Sequence, residues 1–327
     1  MTALGVVAAL LIAGFVALGR YLGSLDMLRQ RSAVHREINI VAGKRLLREW
    51  DAMPLRHSFR ADPSHAYAGD LNLFGHASLF QMLDTTATST GQQTLRRWLL
   101  AGAAPPVVRE RQAAVMELAS QLDLRQELQV RGRLAGDVSP DPEPFLAWVE
   151  SGPWLSRQRA FVWSARVSPI ALCVLLAAQI VGLVAAPIWV LPLAANIGLW
   201  WVGGTRAQAT LRLVAAHEGA YRRYADMFAL LGGCSFSAPL LEQRRAVLTP
   251  TGASAADRLR RLSQFILPGS ALVYWIVQRL FLWDIHVLAA LENWQAAVGV
   301  GARAWLDTLS EFEALAALAG RAYDNPE

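Results

Sequence analysis

Lysine is almost missing: Lys44 is the only one in 327 residues, and arginine carries nearly all of the positive charge. Charge of either sign is scarce. Only 17% of residues are Asp, Glu, Lys or Arg, against 54% hydrophobic, whereas soluble domains carry about 25% charged residues. With a mean hydropathy of +0.28, part of the chain is expected in lipid. Cysteine occurs twice, at Cys173 and Cys234, far apart and with no histidine near either. That excludes a disulfide framework and a Cys/His metal site, and both read as small buried hydrophobes. Trains of β-branched residues bounded by turn signals are also missing, while Ala, Leu and Arg, all good helix formers, abound. The fold class expected is all-α.

Catalytic signatures are missing as well. The six histidines, His35, His57, His65, His76, His217 and His286, form no H-E-x-x-H or comparable pair, and His217-Glu218 lacks the second histidine a zinc site needs. There is no G-x-S-x-G elbow, no C-x-x-C and no G-x-x-x-x-G-K-[ST] phosphate loop,. Glu311 and Glu313 fall on different faces of a helix, which argues against paired acid–base work. Asp284 and His286 leave open a proton relay or a helix cap. Asp70 and Asp84 read as capping residues. The chain as it stands is read as not an enzyme, with no catalytic, cofactor-binding or metal residue.

What is present is apolar sequence with arginines at its borders. Leu4–Leu18 is uncharged and precedes Arg20, Arg29, Arg31 and Arg36. It lacks the basic start of a signal peptide and reads as an uncleaved anchor, its amino terminus outside. From Val167 to Gly203 no charge occurs, and Arg157, Arg159 and Arg166 precede the stretch while Arg206 and Arg212 follow it. One straight helix of that length would exceed ~50 Å, against a hydrocarbon core of about 30 Å. Ala186-Pro187 lies at its centre, so two short spans joined by a turn fit better. Trp163, Trp189 and Trp200-Trp201 sit where interfacial belts are expected. Gln179 and Asn196 fall at similar depth, which predicts a hydrogen bond between the two helices. Phe265–Trp283, broken by Pro268-Gly269 and by Arg279 and Asp284, reads as a buried or interface-lying helix.

A hairpin returns the chain to the side it left, so the flanking parts share one compartment. The expected organisation is an anchor at 1–23, a basic linker helix at 24–60, a first helical part at 61–166, the transmembrane hairpin at 167–203 and a second helical part at 204–327. Within these, Ala77–Leu83 is a short apolar helix, and Thr90-Gly91-Gln92-Gln93 matches a capping box. Pro105-Pro106 opens a helix, Asp137–Pro144 is a loop, Gln208–Leu231 is one amphipathic helix, and Ala302–Ala322 is the last. The pairs Arg222-Arg223, Arg244-Arg245 and Arg260-Arg261 are either solvated helix faces or a phosphate-binding surface.

Several runs are more specific. They are His65-Ala66-Tyr67-Ala68-Gly69-Asp70-Leu71-Asn72-Leu73-Phe74-Gly75, Ser78–Asp84, Thr86-x-Thr88-x-x-Gly91, Leu95-x-x-Trp98-Leu99-Leu100 and Arg111-Gln112-x-x-Val115-x-Glu117-Leu118. With Phe281–His286 and Phe312-Glu313-Ala314-Leu315-Ala316-x-Leu318, they resemble the core domain of the MutS mismatch-repair family, its membrane-associated branch in particular. The resemblance implies a helical bundle whose lever helices connect a carboxy-terminal ATPase to a DNA-touching clamp. Here the clamp's place is held by the apolar hairpin, and nothing before residue 60 resembles a mismatch-reading domain. The chain stops about where the ATPase would begin. It is either part of a longer protein or a lone lever module.

The function expected is therefore a membrane-anchored core and lever module of a MutS-related ATPase that transmits conformational change. The alternative is a DNA-binding protein that tethers DNA to the membrane. Expected partners are membrane lipid, a second copy through the missing ATPase domain and, as the rival, DNA. No cofactor is expected in this chain; ATP and Mg belong only to such an ATPase. The expected location is the bacterial inner membrane, multi-pass, with the soluble parts cytoplasmic.

Overall fold

The computed structural model describes residues 2–55, 65–134, 142–216, 218–248, 251–267, 272–299 and 301–326, with residues 2–13, 16, 218–223, 251, 253 and 272–273 as backbone only. Among the described residues the chain is all helical and has no strand. In chain order the helices are α1 (Thr2–Leu47), α2 (Leu79–Leu83), α3 (Ser89–Leu100), α4 (Pro105–Ser120) and α5 (Leu122–Arg133). Then come α6 (Glu143–Ser151), α7 (Arg159–Ile180), α8 (Val190–Ala216), α9 (Glu218–Gly232) and α10 (Pro239–Leu248). The last four are α11 (Thr251–Ser263), α12 (Leu272–Phe281), α13 (Trp283–Val298) and α14 (Ala302–Asp324). The chain divides into two compact units. The first holds Met1–Leu134, Ala238–Leu240 and Ser310–Glu327; the second holds Ala135–Ser237 and Leu241–Leu309.

Helix ends in the first unit follow local chemistry. Ser78 caps α2 by accepting from the Gln81 amide, and Pro105-Pro106 opens α4, where the missing N–H groups are harmless,. Arg125 is buried at 5% exposure because it turns back on α4. Its Nε and Nη2 donate to the Leu118 and Ala119 carbonyls, which the end of that helix leaves free,. The same guanidinium lies 5.1 Å from the Tyr323 ring of α14. Helix α1 runs from Thr2 to Leu47 without a break, so Leu4–Leu18 and the basic residues after it lie on one continuous helix. Arg31 reaches Glu127 of α5 at 2.6 Å.

The second unit contains a helical hairpin. Helices α7 and α8 pack together, joined by residues 181–189, where Gly182 takes a φ of +81° that favours glycine,. The Ser168 hydroxyl donates to the Pro192 carbonyl at 3.0 Å, tying the two helices together. Gly203 admits the Phe161 ring: a Cβ there would stand 2.7 Å from it. Away from this seam the hairpin shows apolar residues outward, with Ile170, Val174, Ile180, Leu191, Trp201 and Val202 all exposed. One helix among the described residues, Arg159–Ile180, is long and apolar enough to cross a membrane. The side chains of the proposed anchor up to Ala13 lie outside the described residues.

Two local expectations need correction. The bond between Gln179 and Asn196 is not made. Asn196, wholly buried, donates instead to the Leu280 carbonyl at 2.9 Å, and Gln179 Oε1 has no protein partner. The cap of α3 is Thr88 rather than Thr90, so the helix starts at Ser89. The expected helix Gln208–Leu231 is covered by α8, which ends at Ala216, and α9, which begins at Glu218, with His217 outside the described residues. Of the expected Asp137–Pro144 loop, residues 137–141 lie outside the described residues and Glu143-Pro144 already belong to α6; His57 and Pro268-Gly269 lie outside them too, and within Phe265–Trp283 the described helix is Leu272–Phe281.

Candidate functional site

In the first unit the motif-bearing residues meet around the start of α3. Thr88 stands in extended backbone, and its hydroxyl accepts from the Gly91 amide at 3.0 Å. A capping box would place Glu or Gln at Gly91, to accept the cap residue's own N–H. Here Glu313 of α14 takes that role from far along the chain. Its Oε1 accepts from the Ala87 amide at 2.8 Å and the Thr88 amide at 3.1 Å, while the Thr88 hydroxyl donates to its Oε2. Gly91 is required by this approach, because a Cβ there would stand 2.3 Å from Glu313 Oε2 and 2.9 Å from its Cβ. Burial pushes the Glu313 carboxyl above its ordinary value, and the bonds from Thr88 and Ala87 pull against that.

Asp84 continues the network. It ends α2, and its Oδ1 accepts from the Thr86 amide and hydroxyl at 3.2 and 2.6 Å. Its Oδ2 accepts from Gln92 Nε2 at 2.6 Å. Beneath it, Phe80, Leu83 and Leu95 pack with Ala314 and Ala317 of α14. The remaining motif residues also spend their polar groups on helix ends. His65 meets the Leu100 carbonyl at 3.0 Å and Tyr67 donates to that of Leu99 at 3.2 Å, covering the end of α3. Gln81 donates to the Trp50 and Met53 carbonyls and accepts from the Ala77 amide. Glu117 accepts from the Ala238 amide at the start of α10 at 2.6 Å, and Arg111 lies over the Trp98 ring at 3.8 Å. At the end of α14, burial raises the Asp324 carboxyl while Arg45 and Arg125 oppose the shift.

The second unit holds two further buried polar clusters. Glu292 of α13 accepts three successive backbone amides, those of Trp154, Leu155 and Ser156, at 3.0, 2.7 and 2.8 Å. Sequence reasoning missed it; the available signal was a single carboxylate within the apolar run of α13. Asp284 accepts from the Tyr274 hydroxyl at 2.6 Å, and that hydroxyl accepts from Gln208 Nε2 at 2.5 Å. Asp284 thus pairs with Tyr274 rather than His286, and the relay geometry is not formed. These three residues line a cavity of about 450 Å³ with Trp200, Arg212 and Trp275 among others.

Among the described residues, no three His, Cys, Asp or Glu side chains are grouped to hold a metal ion. Asp84, Glu117, Glu292 and Glu313 are engaged by backbone amides, hydroxyls or a side-chain amide, an arrangement that fixes helix ends. The arginine pairs are partly neutralised too: Arg245 bonds Glu242, and Arg260 and Arg261 both bond Asp257.

No family model matches the chain, and no solved structure matches it. Two curated proteins do, over a short stretch. They are the DNA mismatch repair protein MutS of Synechococcus elongatus and that of a Synechococcus species, each 50% identical over 54 residues. The aligned stretch is 16% of this chain and 6% of each MutS protein. Over that part, the chain is similar to a DNA mismatch repair protein MutS.

Proposed function

We propose that the chain is a membrane-anchored core and lever module related to MutS, passing conformational change between a nucleotide-driven domain and a membrane-seated hairpin. The observation that carries the reading is α14. It is unbroken from Ala302 to Asp324, its residues 302–309 belong to the second unit and 310–324 to the first, and Glu313 on it anchors the cap of α3. At 1.5 Å per residue this rod is about 34 Å long. The short MutS likeness supports a relation to that family. The outward apolar face of α7 and α8, bordered by Arg159, Arg166, Arg206 and Arg212, supports the membrane assignment,. The α1 segment Leu4–Leu18 is the second anchor in this reading, with the soluble parts on the cytoplasmic face of the inner membrane.

The test joins the chain to a MutS-type ATPase domain after Glu327 and follows amide hydrogen exchange along residues 302–324. Exchange of ADP for ATP should change protection there; unchanged protection would overturn the lever. Retention of the chain in carbonate-washed membranes is expected as well, and release into the supernatant would overturn the anchoring.

A further inference from the structure

We infer that the corner between α12 and α13 is seated in the lipid beside the hairpin, and that Asn196 is placed in the span to cap it. This rests on the membrane reading above. Helix α12 runs antiparallel along α8: Tyr274 accepts from Gln208 near its start, and the Leu280 carbonyl accepts from Asn196 at its end. Asn196 lies five residues on the hairpin side of Trp201, about 7 Å further along the axis at 1.5 Å per residue. The end of α12 therefore reaches below the level of the Trp200-Trp201 belt. Leu282 turns the chain sharply in left-handed backbone, φ 51°, and α13 follows, packed against α7 and α8. Leu282, Ile285 and Leu288 pack with Ala165 and Ala207 of the hairpin helices.

Two problems of a helix ending in hydrocarbon are met here. Its last carbonyls have no intrahelical donor and, without water, must find another. Asn196 Nδ2 supplies one to Leu280, which explains a wholly buried asparagine in an otherwise uncharged apolar stretch. The corner's outward side chains must also suit lipid. Phe265, Trp275, Ile276 and Phe281 are exposed, next to a hairpin whose Trp201 and Val202 are exposed likewise, so the two surfaces continue into one apolar face. Arg279, the cation on α12, lies over Trp200 at 3.8 Å and near Trp275 at 5.5 Å. The guanidinium is stacked on the belt aromatic with Nη1 buried, so the cation is drawn up towards the interface rather than left among acyl chains,. The occupant of this face is the acyl and headgroup boundary of the leaflet that holds Trp200-Trp201.

The experiment uses the full chain in liposomes with both native cysteines replaced by alanine. Single nitroxide labels are placed by Phe281→Cys, by Ile197→Cys on the hairpin and by Met116→Cys in the first unit. Collision with oxygen is compared with collision with a water-soluble nickel chelate. Labels at 281 and 197 should favour oxygen, and the label at 116 should favour nickel. If 197 favours oxygen while 281 behaves like 116, the seated corner is overturned and the hairpin stands. If 197 itself favours nickel, the membrane reading falls and this inference with it. Asn196→Leu should leave the depth at 197 unchanged and increase label mobility at 281; unchanged mobility there would overturn the capping role.

Discussion

Replacing Glu313 tests whether the α3–α14 junction is the fixed point of the first unit. In Glu313→Ala the amides of Ala87 and Thr88 and the Thr88 hydroxyl lose their acceptor together. Each buried donor left unsatisfied costs about 1–3 kcal/mol. Removing a carboxyl whose pKa burial has raised returns part of that, so the net loss expected is about 2–4 kcal/mol. Gly91→Ala approaches the same contact from the other side. Helix propensity alone would favour alanine by about 1 kcal/mol, but the new Cβ meets the Glu313 side chain at 2.3–2.9 Å, and overpacking of that kind costs about 1–3 kcal/mol. Gly91→Ala should therefore destabilise the natural chain, and by clearly less in the Glu313→Ala background, where only the residue-313 Cβ at 2.9 Å still meets the new methyl. Denaturant unfolding of the detergent-solubilised chain, followed by circular dichroism, measures all four corners of the cycle. Additivity within about 0.5 kcal/mol would refute the reasoning, since coupling is what a shared contact produces.

The sign of the Glu313 shift sets a pH dependence. A carboxyl raised in the folded state contributes stability that is fully present below its unfolded value and is lost as pH rises through its folded value,. Glu313→Gln should accordingly gain on the natural chain as pH rises from about 4 towards neutrality, read as the difference between their melting temperatures; a constant difference would contradict the burial argument. Tyr274→Phe removes a donor to the buried Asp284 and an acceptor for Gln208, and should cost about 1–3 kcal/mol in the same unfolding assay; a change within error would mean the pair is replaceable by water. Duplex DNA should not bind the solubilised chain at low salt, because Arg245, Arg260 and Arg261 are engaged by carboxylates; tight binding that falls steeply with salt would favour the DNA-tethering alternative.

Periodicity, prolines and glycines make the helices legible in the sequence. Pro105-Pro106 marks the start of α4, Gly232 ends α9, and the uncharged stretch around Ala186-Pro187 folds back as α7 and α8. Polar partners were not legible, because they come from elements distant in sequence. The local capping rule looks for an acceptor three residues after the cap, and Thr88 has Gly91 there; its acceptor is Glu313, 225 residues away. Depth within the hairpin pairs Asn196 with Gln179, but the partner of Asn196 is the end of α12. No local pattern names the partners of Glu292, which are backbone amides 136–138 residues away, and Asp284, which spacing pairs with His286, is held by the Tyr274 hydroxyl instead.

The central claim is a chain seated in a membrane by its hairpin, and the residues between α7 and α8 test it most directly. A protease site inserted between Ala186 and Pro187 can be challenged from the cytoplasmic side in sealed inverted inner-membrane vesicles. The account predicts protection until detergent opens the vesicles, while a second site at Val247 is cut from the start. Cleavage at 186–187 in sealed vesicles would contradict it.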